Sequence, residues 1–280
     1  MPEMSVVWLR LAVALYGVGL LQAILSVLRK GTRLYPYALG AFRLAVVFHI
    51  VSIVEHSVGL RHLAANNFFE TASLCALLFA LMFLFVEWRY RFSSLSLVVF
   101  PLVSLLAFMG AMGTPVSAWS DPRVRNVWLL THIVLVLAGY AGLLLSAQLA
   151  VLYLLQERRL KRRHGKPEST LLSSLATDRI PPLETLDHLI TLSMSAGFVA
   201  ITLAVVAGSS WAFIELGTRW VGQPKIMVSL LTWVFYLSMV YLRISAGWRG
   251  RKAAILSLTV LGFAALTWAA HVGLQPLLEK

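Results

Sequence analysis

Hydrophobic positions along the chain fall into long, nearly unbroken runs, separated by short clusters of charged, Gly and Pro residues. Runs of this kind, without the alternation of a half-buried strand, predict helices rather than barrel strands. A helix that crosses a bilayer needs about 20 mainly apolar residues. Such stretches lie near residues 5–28, 38–60, 68–87, 95–113, 127–155, 188–208, 225–242 and 253–275. The fifth is longer than a bilayer requires and is expected to tilt or to extend beyond it. Pro181 and Pro182 break any helix ahead of the sixth. The expected fold is an all-α polytopic membrane protein, a bundle of about eight transmembrane helices forming one domain over residues 1–280.

Composition agrees with that reading and narrows it. Of 280 residues, 59% are hydrophobic and 13% charged, with a mean hydropathy of +0.80. A soluble domain carries about 25% charged residues, so this chain cannot cover a globule in water. Disorder fails on the same numbers. The net charge of +12 would suit a nucleic-acid binder, but the placement of Lys and Arg explains it differently. They gather in alternate connections: Arg29, Lys30, Arg33 and Arg43; Arg89 and Arg91; Arg158, Arg159, Lys161, Arg162, Arg163, Lys166 and Arg179; Arg243, Arg249, Arg251 and Lys252. The richer side is cytoplasmic by the positive-inside rule, which puts both termini on the outer side. The charge is thus mainly topology, the expected partner is the lipid bilayer, and no nucleic acid is implied. Cys75 is the single cysteine, which excludes a disulfide framework and a CxxC relay. No signal peptide is read, because the first apolar run is too long and lacks a cleavage site.

Histidines carry the candidate chemistry. His49 lies near the middle of the second span, and His56 follows seven residues later on nearly the same face. His62 falls in the next outer connection, His132 near the outer end of the fifth span and His271 near the outer end of the eighth. An ionisable side chain in mid-membrane marks a functional site by default, and neutral imidazole is a common ligand for haem iron and other transition metals. The alternative for each is an interhelical hydrogen bond. HExxH spacing is absent, so a zinc protease is not indicated. His164 and His188 sit at the inner side and suggest no site. The connection from Gly208 to Lys225 adds Trp211, Phe213 and Trp220, an apolar shelf for a flat ligand, with Arg219 and Lys225 beside it. An interfacial aromatic belt accounts for the same residues.

At this connection the sequence resembles the cytochrome c assembly family, the haem-handling membrane proteins of the CcsA, CcmC and HemX/YpjD-like branches. Their hallmark is a tryptophan-rich outer "WWD" loop flanked by histidines. Gly208, Trp211, Ala212, Gly217, Trp220, Pro224, Lys225, Leu230, Thr232 and Trp233 match its pattern without a gap. Leu216, Gly222, Gln223, Ile226 and Val228 replace Trp, Trp, Asp, Glu and Trp, so the frame persists and its centre is degenerate. His49 followed by Asn67 and Glu70 resembles the family's early transmembrane His and Asn-x-x-Glu segment. His132 with Tyr140 and Ala141 resembles the outer His of the fifth span. Pro182–Asp187 with Gly197 and Phe198 resembles the start of the sixth. Tyr241–Arg243 with Gly247–Arg251 resembles the end of the seventh, with Arg243 where haem exporters often carry His.

The resemblance implies a role in cytochrome c biogenesis by movement and presentation of haem rather than bond-making catalysis. Haem would enter through a site including His49. It would then sit under the outer loop with axial nitrogens from His132 and His271, its macrocycle against Trp211 and Trp220 and its propionates on Arg219 or Lys225. His56, His62, Asn67 and Glu70 are secondary candidates for the same site. The implied setting is a multi-pass protein of a bacterial cytoplasmic membrane, working with a second membrane protein of an assembly complex. Two other functions stay open: a scaffold or regulator of haem supply that no longer binds haem, and a small-solute transporter.

Overall fold

The structure is a computed structural model that describes residues 2–28, 34–61, 63–64, 68–91, 95–113, 127–163, 181–216 and 224–278. All regular structure among the described residues is helical: α1 Pro2–Leu28, α2 Tyr35–Leu60, α3 Phe68–Tyr90, α4 Ser96–Ala111, α5 Val127–Arg163, α6 Leu183–Leu216, α7 Pro224–Ile244 and α8 Arg251–Leu278. Each coincides with one apolar run of the sequence. Six of them, α1 to α3 and α5 to α7, are long and apolar enough to cross a membrane. Pro36 and Pro224 sit at the first turns of α2 and α7, where a missing N–H costs nothing.

Two helices run further than the hydropathy suggests. α5 continues through the charge run to Arg163, supported by the Glu157–Lys161 pair one turn apart at 2.7 Å. α6 begins at Leu183 and runs to Leu216, so the expected outer connection from Gly208 is helical over its first half. Trp211 to Leu216 contains no Gly or Pro, and the first breaker is Gly217.

The helices sort into two compact units: α1 to α4, and α5 up to Leu155 with α6, α7 and α8. In the first unit, Gly19 of α1 lets the backbone of α2 approach, since a Cβ there would lie 3.1 Å from the Ala38 carbonyl. Below that contact four rings form the core. Phe42 stacks on Phe100 at 4.3 Å between centroids, while Tyr16 and Phe83 meet Phe42 edge-on. All four are fully buried. With no water to expel from lipid, such packing is what holds transmembrane helices together.

In the second unit, α5 and α6 cross where glycines face each other. A Cβ on Gly142 would lie 2.7 Å from the Gly197 Cα. Around the crossing Leu143, Met194, Ile201, Tyr236, Met239 and Val260 form a buried cluster, and α7 is tied to α6 by Tyr236 donating to the Met194 carbonyl at 3.0 Å.

Candidate functional site

The first unit places His49 where the sequence predicts a functional side chain, completely buried in α2. Its Nδ1 meets the Tyr16 hydroxyl of α1 at 3.3 Å, and its Nε2 meets the Ser73 hydroxyl of α3 at 2.9 Å. A hydroxyl can donate or accept, so either tautomer of the ring is satisfied. His49 therefore joins three helices and offers no free nitrogen in this arrangement. Two turns along α2, His56 pairs with Glu70 of α3 at 3.2 Å, while its Nδ1 lies 3.4 Å from the Ser5 hydroxyl of α1. His56, Glu70, Ser5, Ser52 and Ser73 line a cavity of about 60 Å³ that Gly110 of α4 and Gly113 just beyond it help to wall. That volume holds a few waters, and is far too small for a porphyrin.

The second unit offers a different kind of histidine. From the α5–α6 crossing, nearly three turns back along α5 reach His132, and two to three turns forward along α6 reach Ala204 and Gly208. His132 Nδ1 donates to the Ala204 carbonyl at 2.6 Å. The ring lies against Gly208, where a Cβ would be 2.5 Å from Nδ1 and 2.6 Å from Cε1. Its Nε2 has no hydrogen-bond partner among the described residues.

The family model described as "Cytochrome C assembly protein" matches residues 40–271. The chain belongs to the cytochrome c assembly protein family. Among its relatives, a protein of Guillardia theta named "Cytochrome c biogenesis protein CcsA" is 24% identical over 262 residues, covering 89% of this chain and 85% of its own. The protein of the same name in Prochlorococcus marinus (strain AS9601) is 30% identical over 213 residues, 71% of this chain and 69% of the relative. That of Heterosigma akashiwo (strain NIES-293 / 8280G21-1) is 24% identical over 237 residues, 75% and 73%.

Against that family frame, the remaining candidates divide by position. Trp211, Lys225 and His271 lie on α6, α7 and α8 with side chains outside the described set, and His62, Asn67, Arg219 and Trp220 lie outside the described residues. Thr232 and Trp233, two of the matching positions, serve helix packing. Trp233 Nε1 donates to Thr202 at 3.0 Å and its ring stacks on Phe198, while Thr232 bonds its own helix at Val228. Among the described residues no three His, Cys, Asp or Glu side chains converge on a metal position.

Arg243, at the end of α7, is consumed by structure. Its guanidinium grips the Asp187 carboxylate at 2.7 and 3.0 Å, and adds bonds to Thr191 and to the Trp248 carbonyl. The backbone N–H of Gly250 completes the Asp187 shell at 2.9 Å. Gly247 and Gly250 both take left-handed backbone angles, so the α7–α8 turn can fold back over this pair. Sequence reasoning did not find the Asp187–Arg243 pair, although opposite charges at the ends of neighbouring spans are the available signal. It also missed Tyr16, Ser73 and Ala204, which as hydroxyl and carbonyl partners leave no mark on a hydropathy profile.

Proposed function

We propose that this family member handles haem as cargo in cytochrome c biogenesis, taking the iron on Nε2 of His132. The observation that carries the assignment is the contrast between the buried His49 and the half-buried His132. His132 has one nitrogen fixed by a backbone carbonyl and the other without a partner among the described residues, the arrangement of a metal-ligating imidazole. His49 has both nitrogens engaged. Names of the relatives support the pathway, and the matching outer motif supports the cargo. Bound haem would supply the iron, and the chain would supply its nitrogen ligands and its position. His271 is the candidate for the opposite axial nitrogen, Trp211 and Trp220 for the face of the macrocycle, and Arg219 or Lys225 for the propionates. The same reading puts this end of the second unit on the outer side of a bacterial cytoplasmic membrane, next to a second membrane protein of a cytochrome c assembly complex.

Titrating the purified protein with haemin in mild detergent tests the reading. A Soret band that saturates at one haem per chain, disappears in His132→Ala and survives in His49→Ala is expected. No band in the unmodified protein sinks the proposal. It would instead favour a scaffold that has lost its ligand, for which the degenerate loop centre at Gly222, Gln223 and Val228 is the specific argument.

A further inference from the structure

We infer that one turn of α6, Ala204 to Gly208, is a positioning cradle that holds His132 in a single tautomer and makes it a releasable ligand. The inference rests on the His132 reading above and adds residues that contact no haem. A carbonyl oxygen only accepts, so the 2.6 Å contact with Ala204 requires the proton on Nδ1. A neutral imidazole carries one ring proton, which leaves the lone pair on Nε2. The Ala204 carbonyl can make this bond without leaving its helix. Its usual ladder partner is the N–H four residues on, which belongs to Gly208, and its second lone pair serves the imidazole.

Gly208 therefore has two tasks at one position. Its N–H steadies the acceptor, and its missing side chain makes room for the ring. A methyl group there would sit 2.5 Å from Nδ1 and 2.6 Å from Cε1, well inside van der Waals contact. The ring cannot simply back away, because α5 is pinned against α6 at the next glycines. A Cβ on Gly139 would lie 3.0 Å from Ile201, and one on Gly142 would lie 2.9 Å from the Ser193 carbonyl. Relief must come by rotating the imidazole, which breaks the bond to Ala204 and frees the tautomer. The nature of the acceptor also matters. A carboxylate behind a ligating histidine raises its basicity, whereas a peptide carbonyl already shared with a helix N–H pulls less. The cradle thus orients the ligand fully while strengthening it only modestly, which suits a protein that must pass its cargo on.

The test uses the full-length protein in nanodiscs with 15N-labelled histidine, the His132 signals being assigned by their loss in His132→Gln. Unmodified protein should show a protonated Nδ1 and a bare Nε2 before any haem is added. A protonated Nε2 overturns the inference outright. Gly208→Ala should lose this signature and bind haemin at least tenfold more weakly. Gly262→Ala, a helix glycine whose Cβ would meet nothing within 4 Å, should leave both unchanged. His132→Gly with added imidazole should recover the Soret band, and the same variant carrying Gly208→Ala should not. If Gly208→Ala keeps the Nδ1–H signature and binds haemin within twofold of the unmodified protein, the cradle is refuted. If the unmodified protein shows the tautomer but takes up no haemin, the cradle stands and the haem reading fails.

Discussion

Replacing Arg243 by alanine should be the most damaging single change in the second unit. Arg243 is only 8% exposed, and the Asp187 side chain 18%. The substitution removes both arms of a bidentate pair and leaves the Asp187 carboxylate to the Gly250 N–H. Breaking a buried ion pair costs about 3–5 kcal/mol, mostly because the other charge stays behind. Partial exposure of Asp187 argues for the low end, about 3 kcal/mol. Loss of the bond to the Trp248 carbonyl adds about 1 kcal/mol. Arg243→Lys keeps the charge but cannot reach carboxylate, Thr191 and Trp248 together, so it should recover less than half of the loss. Equilibrium unfolding of the detergent-solubilised protein by increasing dodecyl sulfate measures these values. A double-mutant cycle with Asp187→Ala isolates the pair and should give a coupling above about 2 kcal/mol. A cost for Arg243→Ala below about 1 kcal/mol, as for an ordinary surface pair, would refute the reasoning.

Other expectations follow from the same geometry. Phe100→Ala removes the ring stacked on Phe42 and should destabilise the first unit by about 3–5 kcal/mol in the same unfolding assay. Tyr16→Phe deletes one side of the His49 clasp at an average cost near 0.6 kcal/mol for a hydrogen bond inside a membrane, and haemin titration should be unaltered. Gly197→Ala drives a methyl into the Tyr236 hydroxyl and the α5 backbone. About 1–3 kcal/mol of overpacking should appear as a lower unfolding midpoint, and Tyr236→Phe in the same chain should recover part of it.

Apolar runs alone located every helix among the described residues, because a span in lipid must satisfy its own backbone and so declares itself by length and hydropathy. Ends were less legible. The outer motif of the sixth span reads as a loop by resemblance, yet Trp211 to Leu216 extends α6, since nothing before Gly217 interrupts the hydrogen-bond ladder. For the site, sequence could mark His49 and His132 as unusual but could not tell them apart. Their difference lies in partners from other helices: two hydroxyls for one, a single main-chain carbonyl for the other. A carbonyl belongs to every residue, so no residue type announces it. Gly208 was visible as a motif match, while its reason, the ring of His132 in the space of its absent side chain, needed three dimensions.

The brevity of α4 has a consequence for the lipid around it. Its 16 residues rise about 24 Å, short of the roughly 30 Å hydrocarbon thickness of a typical bilayer. Hydrophobic mismatch of this size is relieved by local thinning of the membrane or by drawing water toward the helix end. That end is Gly110 and Ala111, beside the cavity holding His56 and Glu70. A dimple in the bilayer at α4 would let the polar lining of this cavity meet water without crossing a full leaflet. On this geometry the protein should prefer thinner bilayers, and lengthening the surrounding acyl chains should progressively squeeze shut the recess beside α4.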